Sequence, residues 1–403
     1  MYVGFERITD NSNSRYQSEL CDRKSRGRLV SAEVLFVGVG ISIAYWFDFG
    51  MSFVNGPVSW RLPIAAQMIF AIVVIILVFA LPESPRWLFK KDRFEEAIEV
   101  LCAVYDMEPT DAYIITERDA ILQAIEIETR ASSTSSVLTI FEKDAVRTRY
   151  RVFLAWLIQF MNQGGGINLV VYYAPSVLVQ NVGLSPRLSQ ILGGCINMTF
   201  MFGSILPTFT LDRMGRRKTM MWGCAGLSIC MLMLSALLSQ ADGTSSRGQS
   251  FASASITFLF LYMLIFGMSV NCVPWVYVPE ILPLEARTQG TAIGISSNWL
   301  WNFIVVMITP VIINRLQWKA YLIFMATNLM FVPLVYFFYP ETSNIRLEDI
   351  DQIFTHGDNP VSVARAMAKE MKENEGTGKD KESSISCKDD SNKTTFETKE
   401  RVS

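Results

Sequence analysis

Histidine is almost absent from this 403-residue chain: there is one, His356, in a polar stretch near the C-terminus. That excludes catalysis or metal binding built on imidazole pairs. The seven cysteines lie far apart, at 21, 102, 195, 224, 230, 272 and 387, with no C-x-x-C. They form neither a disulfide framework nor a zinc site. Charge is scarce too, at 18% of residues against a usual ~25%. The formal net charge of −2 offers no basic field to a nucleic acid. Residues 1–31 are polar and hold no apolar run of the leader type.

What the chain does have is uncharged length. Half of its residues are hydrophobic and the mean hydropathy is +0.27. The polar residues pool in the first 31 positions, in 83–151 and after 340. A soluble core does not need that segregation; a bilayer does. Eight apolar segments are long enough to cross ~30 Å of hydrocarbon: Val34–Phe53, Leu62–Leu81, Val152–Leu178, Leu188–Leu211, Thr219–Leu238, Ser255–Val278, Thr291–Ile313 and Tyr321–Tyr339. Helices must meet the lipid, so the expected class is all-α, a polytopic membrane bundle. Eight crossings put both ends on one side. That side carries twenty-one Lys and Arg between the spans and before them, against five opposite (Arg61, Arg187, Arg247, Arg315, Lys319). The first side is therefore expected to be cytoplasmic. Residues 82–151 carry short amphipathic patterns, and from about 357 the chain is too polar to fold and is expected to be disordered.

An internal repeat organises the spans. Tyr16-Gln-Ser-Glu19 is followed by Arg26, and Tyr277-Val-Pro-Glu280 by Arg287, at an offset of 261. Pro82-Glu83-Ser84 and Pro340-Glu341-Thr342 match at an offset of 258. Parallel repeats of this size are a transporter architecture. Six spans in the second copy face two in the first, which leads to the expectation of a twelve-span protein lacking its first four: a remnant bundle at 32–81, a loop region at 82–151, a six-helix bundle at 152–340 and a tail at 341–403.

The motifs then become specific. Tyr16-Gln-Ser-Glu19…Arg26-Gly-Arg, Pro82-Glu-Ser-Pro-Arg86, Gln163-Gly-Gly-Gly-Ile-Asn168…Tyr172-Tyr173, Asp212-Arg-Met-Gly-Arg216-Arg217, Pro274-Trp275…Pro279-Glu280…Arg287, Asn298-Trp299…Asn302-Phe303 and Pro340-Glu341-Thr342 occur in that order. Together, over about residues 16–354, they resemble the sugar porter family of the major facilitator superfamily in its fungal form. The resemblance implies two six-helix bundles around a central sugar site, alternating access, and no covalent chemistry. It implies no cofactor. It implies a sugar or polyol as solute, with protons in symporting members, and a monomeric, multi-pass protein of the plasma membrane.

The candidate site is a set of amides. A sugar offers hydroxyls that donate and accept, and amides answer both at a lower burial cost than charges. The third span supplies Gln159, Asn162 and Gln163 on one face. Asn168 points roughly 140° away from Gln163 on an unbroken helix. Gly164-Gly165-Gly166 between them permits a break that would re-aim Asn168 and free backbone groups for a ligand. The resemblance implies that Gln163 and Asn168 bind the solute, that Trp275 gates, and that Asn298 and Trp299 face the sugar. Asn302 reads as an interhelical bond, and Asn197 as a substitute for the family's site Asn, whose position is Phe200. The alternatives stay open: amides that tie helices together, and an interfacial role for Trp275. In the sixth span Gly267, Asn271 and Trp275 share a stripe, with Pro274 and Pro279 as kink points. Glu33-Val34 stands where the family has a pair of Gln.

Glu19, Arg26, Glu83, Arg86, Asp212, Arg213, Arg216, Arg217, Glu280, Arg287 and Glu341 fall at cytoplasmic span ends. They are expected to pair across the two halves in one state and separate in the other. The spans hold no nucleophile–base set, so an enzyme is not expected. Rival readings are an incomplete, transport-inactive carrier and a sugar sensor of the same fold.

Overall fold

In the computed structural model the secondary structure of the described residues is helical throughout. The described residues are 26–134, 144–241, 245–283, 285–343, 345, 347–355, 359–367 and 369. Two helices open them, α1 (Arg26–Met51) and α2 (Val58–Ala80). The Val58–Phe79 stretch of α2 buries none of its apolar length inside the protein. A helix apolar all round is one whose solvent is lipid.

Three shorter helices follow: α3 (Pro85–Lys90), α4 (Phe94–Tyr105) and α5 (Ala112–Thr134). Ser84 starts α3 by accepting a hydrogen bond from the Trp87 N–H at 3.2 Å, with Pro85 in the first turn. The three share a small core of Leu88, Phe89, Ala97, Leu101 and Ile114, separate from the main one.

The larger bundle comprises α6 (Thr148–Gly164), α7 (Ile167–Val182), α8 (Pro186–Ile205), α9 (Pro207–Met214), α10 (Arg216–Ser239), α11 (Ser246–Met268), α12 (Val273–Ile281), α13 (Arg287–Leu316) and α14 (Ala320–Phe338). The main pairings are α10 with α14 and α11, α6 with α13, and α8 with α11 and α1. Six stretches are long and apolar enough to cross a membrane; the last, Arg287–Phe338, holds two helices, α13 and α14. With α6–α7 taken as one interrupted crossing, the expected eight are accounted for.

Three expectations need correction. The fourth span is kinked and the sixth is broken. Pro207 has no N–H to offer, and α8 gives way to α9 there. The sixth breaks at residues 269–272, before Pro274 rather than at it. Pro274 sits in the first turn of α12, where its missing N–H leaves nothing unpaired.

The third correction concerns the tail. Helix α15 (Leu347–Thr355) is followed by a helical turn at 360–367. Asn359 opens that turn, its Oδ1 accepting from the Val361 N–H at 3.1 Å. Val361 and Ala364 are buried, and Val363 and Met367 pack on the main core. A few apolar residues in register suffice to seat a polar segment. Residues 370–403 lie outside the described residues.

Candidate functional site

Two breaks and one long helix build the site. At Gly166 the backbone adopts a φ of +92°, which glycine alone takes without cost. That turn ends α6 and starts α7 in a new direction. Asn168 swings back onto the face of Gln163 and donates to its Oε1 at 2.8 Å. On a straight helix the two would diverge.

The two carbonyls the break exposes are not free for a ligand. Thr327 donates to Gly164 O at 3.1 Å, and Asn328 and Tyr262 donate to Gly165 O at 2.9 Å each. The reason is burial: an unpaired carbonyl inside apolar packing is costly, so neighbouring helices supply donors. Tyr262, Thr327 and Asn328 come from α11 and α14 and were not singled out from the sequence. A polar residue inside an apolar span was the available signal.

Helix α13 closes the cluster. Gln163 Nε2 donates to Asn298 Oδ1 at 3.1 Å and to Asn162 Oδ1 at 3.0 Å. Asn298 Nδ2 donates to Gln159 Oε1 at 2.8 Å. Asn302 Nδ2 lies 3.4 Å from both Gln163 Oε1 and Asn168 Oδ1. Asn162 Nδ2 donates to Val270 O at 3.0 Å, in the α11–α12 break. Six of the nine candidate residues are thus one network: Gln159, Asn162, Gln163, Asn168, Asn298 and Asn302. All but Asn302 are buried. An aromatic wall backs it, with the Phe160 and Trp301 rings 4.4 Å apart and Trp156 beyond.

The other three stand apart from the network. Trp299 is half-buried beside Asn298, its indole N–H without a partner. Trp275 is half-buried in α12 and packs on the main core. Asn197 is buried in α8, its Oδ1 unpaired and its backbone O accepting from Ser42 Oγ at 3.4 Å. A cleft of about 460 Å³ opens between α1 and α8, lined by Val39, Ser42, Ile43, Trp46, Phe47, Met198 and Met201. It is apolar and is not part of the amide network.

The charged residues form a second, compact site. Arg216 pairs with Asp212 at 3.0 Å and Glu280 at 2.9 Å. The Glu341 carboxylate accepts from the N–H groups of Arg216 and Arg217 at 2.8 and 3.2 Å, capping the start of α10. Thr342 donates to Glu280, and Ser343 to the Asp212 carbonyl. The Arg217 guanidinium stacks on Tyr336 at 4.9 Å. The ion pairs described for this core lie within the second half, where α9, α10, α12 and the Pro340-Glu341-Thr342 turn converge at one end of one bundle. Arg213 and Glu83 are exposed, and Arg86 and Arg287 half-buried. Glu19 and the Arg26 side chain lie outside the described residues.

Arg151 was missed by sequence reading. It is fully buried at the start of α6, 2.6 Å from Asp351, and lies 4.7 Å from the centre of the Phe354 ring. Its Nε donates to Ile281 O.

The family model "Sugar (and other) transporter" matches residues 3–354. The MFS-type transporter oryC of Aspergillus oryzae is 37% identical, over 86% of this chain and 64% of its own. Sugar transporter STL1 of Saccharomyces cerevisiae is 34% identical over 88% and 62%. A quinate permease of Neurospora africana is 33% identical over 84% and 65%. The chain therefore spans under two thirds of the length of these relatives. Among solved structures, the proton:xylose symporter XylE bound to 6-bromo-6-deoxy-D-glucose superposes with a TM-score of 0.70 at 24% identity, over 85% of this chain and 70% of that one.

Proposed function

This chain belongs to the sugar transporter family of the major facilitator superfamily, and we propose that its amide network binds a small polyhydroxylated solute during alternating access across a membrane. The observation that carries this reading is the network itself: six uncharged amides on three helices, five of them buried and Asn302 half-buried, bonded chiefly to one another.

The physical argument is one of exchange. A hydroxyl donates once and accepts twice. It can replace an amide–amide bond with two amide–hydroxyl bonds of similar strength, so binding and release differ little in hydrogen-bond energy. A charged site would hold its partner more tightly and impose a larger desolvation cost on each cycle. The Trp299 face covers the C–H side of a ring, and its unpaired indole N–H adds a donor.

The solute class extends from hexoses and pentoses to polyols and hydroxylated ring acids, the last suggested by the quinate permease relative. The Lys and Arg distribution supports cytoplasmic ends, and the plasma membrane is the proposed location. The XylE neighbour is a proton:xylose symporter, and proton coupling is the finer reading for this chain; alkalinisation of a weakly buffered medium on solute addition tests it.

Binding and translocation are separate claims, because the relatives are longer. Binding is tested on the purified chain in detergent, by solute-induced shifts in melting temperature with D-glucose, D-xylose and quinate. Gln163→Ala and Asn168→Ala are expected to weaken the response about tenfold or more, the loss of one or two hydrogen bonds to a buried site. A response unchanged in both variants discards the assignment. Uptake of labelled D-glucose and D-xylose by cells lacking their own hexose carriers tests translocation.

A further inference from the structure

The α11–α12 break holds a polar side chain that nothing in the bundle uses. Asn271 is 9% exposed. Its Nδ2 is buried without a partner, and its side chain makes no hydrogen bond among the described residues. The backbone is settled: the Asn271 N–H donates to Phe266 O at 3.0 Å. So the side chain is not needed to hold the break.

The surroundings point to a ligand. The preceding carbonyl, Val270 O, already accepts from Asn162 of the amide network at 3.0 Å, so the break abuts the site. Gln159 Nε2 and the Trp299 indole N–H are likewise buried donors without partners. Meanwhile the side-chain oxygens of Gln159, Asn162, Gln163, Asn168 and Asn298 are all occupied by network donors. The site has surplus donors and few free acceptors. A buried donor left unpaired is expensive, and a ligand oxygen relieves it.

We propose that Asn271 is a further substrate-binding residue, donating its side-chain N–H to an oxygen of the solute and setting which hydroxyl position is recognised. This rests on the carrier reading and adds a specificity determinant to it. A site that hydrogen-bonds one hydroxyl discriminates strongly against the analogue lacking it.

The test uses the purified chain with D-glucose, D-xylose and the monodeoxy analogues of D-glucose, read by melting-temperature shift. In the wild type, one deoxy position is expected to bind about tenfold more weakly than D-glucose. In Asn271→Ala, D-glucose should fall to the level of that analogue while the analogue is unaffected. Asn271→Leu, of similar size with neither donor nor acceptor, should also lose the preference. If wild type responds, Gln163→Ala weakens it, and Asn271→Ala keeps every deoxy preference, the proposal is overturned and the carrier reading stands. A lower melting point of the ligand-free variant with unchanged affinity overturns it equally. If wild type responds to none of the solutes, the carrier reading fails and this proposal with it.

Discussion

Gly166 and Gly183 both have positive φ, at +92° and +75°, yet they differ in what a side chain would meet. A Cβ at Gly166 would lie 2.6 Å from the Phe324 ring; at Gly183 it would meet nothing within 4 Å. Gly183→Ala therefore bears only the left-handed backbone cost, about 1 kcal/mol. Gly166→Ala bears that cost and a displacement of Phe324, about 2–4 kcal/mol in all. Thermal unfolding in detergent should rank them in that order, and equal effects would argue that the Gly166 turn relaxes freely. Gly215 is a third case. Its φ is +84°, and a Cβ there would sit 2.5 Å from Glu341 Oε2. Gly215→Ala is expected to push the carboxylate off the α10 N-terminus and cost about 1–3 kcal/mol. The motif Asp212-Arg-Met-Gly-Arg216-Arg217 thus needs its glycine as much as its charges.

At the scale of the element, the interrupted third span behaves as one unit only because other helices complete its backbone. Gly165 O has two donors, Asn328 Nδ2 and Tyr262 Oη. Tyr262→Phe leaves one and is expected to cost about 0.5–1.5 kcal/mol, and Asn328→Ala a similar amount plus a small void. Removing both strands the carbonyl, so the double variant should exceed the sum of the singles; strict additivity in melting experiments would refute the shared-acceptor account. This also shows what could be read from the sequence. The amides at 159, 162, 163 and 168 and the glycines between them are local, so the break and the meeting of Gln163 with Asn168 follow from a few neighbouring letters. The donors that complete the break sit about 97 and 163 residues away, and no local pattern ties a tyrosine in α11 or an asparagine in α14 to Gly165. The sixth span shows the converse failure. Prolines at 274 and 279 suggested kinks, but Pro274 begins a helix, and the break falls just before it.

Across the whole molecule, the buried ion pairs gather at the end of the larger bundle where α6, α10 and α12 begin or finish. The repeat, the positive-inside pattern and the ordered motifs made that arrangement legible, because each depends on counts and spacings along the chain. The return of the C-terminal segment was not legible, since Lys- and Glu-rich composition masks a few apolar residues in register. Helix α15 buries Ile350, Ile353 and Phe354 against the bundle, each at 1% exposure. Its Asp351 is the ion-pair partner of Arg151, whose side chain is fully enclosed. Removing one member of such a pair leaves a buried charge. Asp351 is 38% exposed, so water compensates in part, and Asp351→Asn is expected to cost about 1–3 kcal/mol rather than the full buried-pair figure. Arg151→Met in the same chain removes the stranded charge and should recover much of that loss, while Phe354→Ala, which takes away both apolar packing and the ring beneath the guanidinium, should cost more, about 3–5 kcal/mol. Because the seat holds the residues that follow, trypsin cleavage after Arg365 should accelerate in Asp351→Asn and Phe354→Ala and slow again in the Asp351→Asn, Arg151→Met double variant. Cleavage at wild-type rate in all three would mean that α15 is held by something other than the Arg151 pocket.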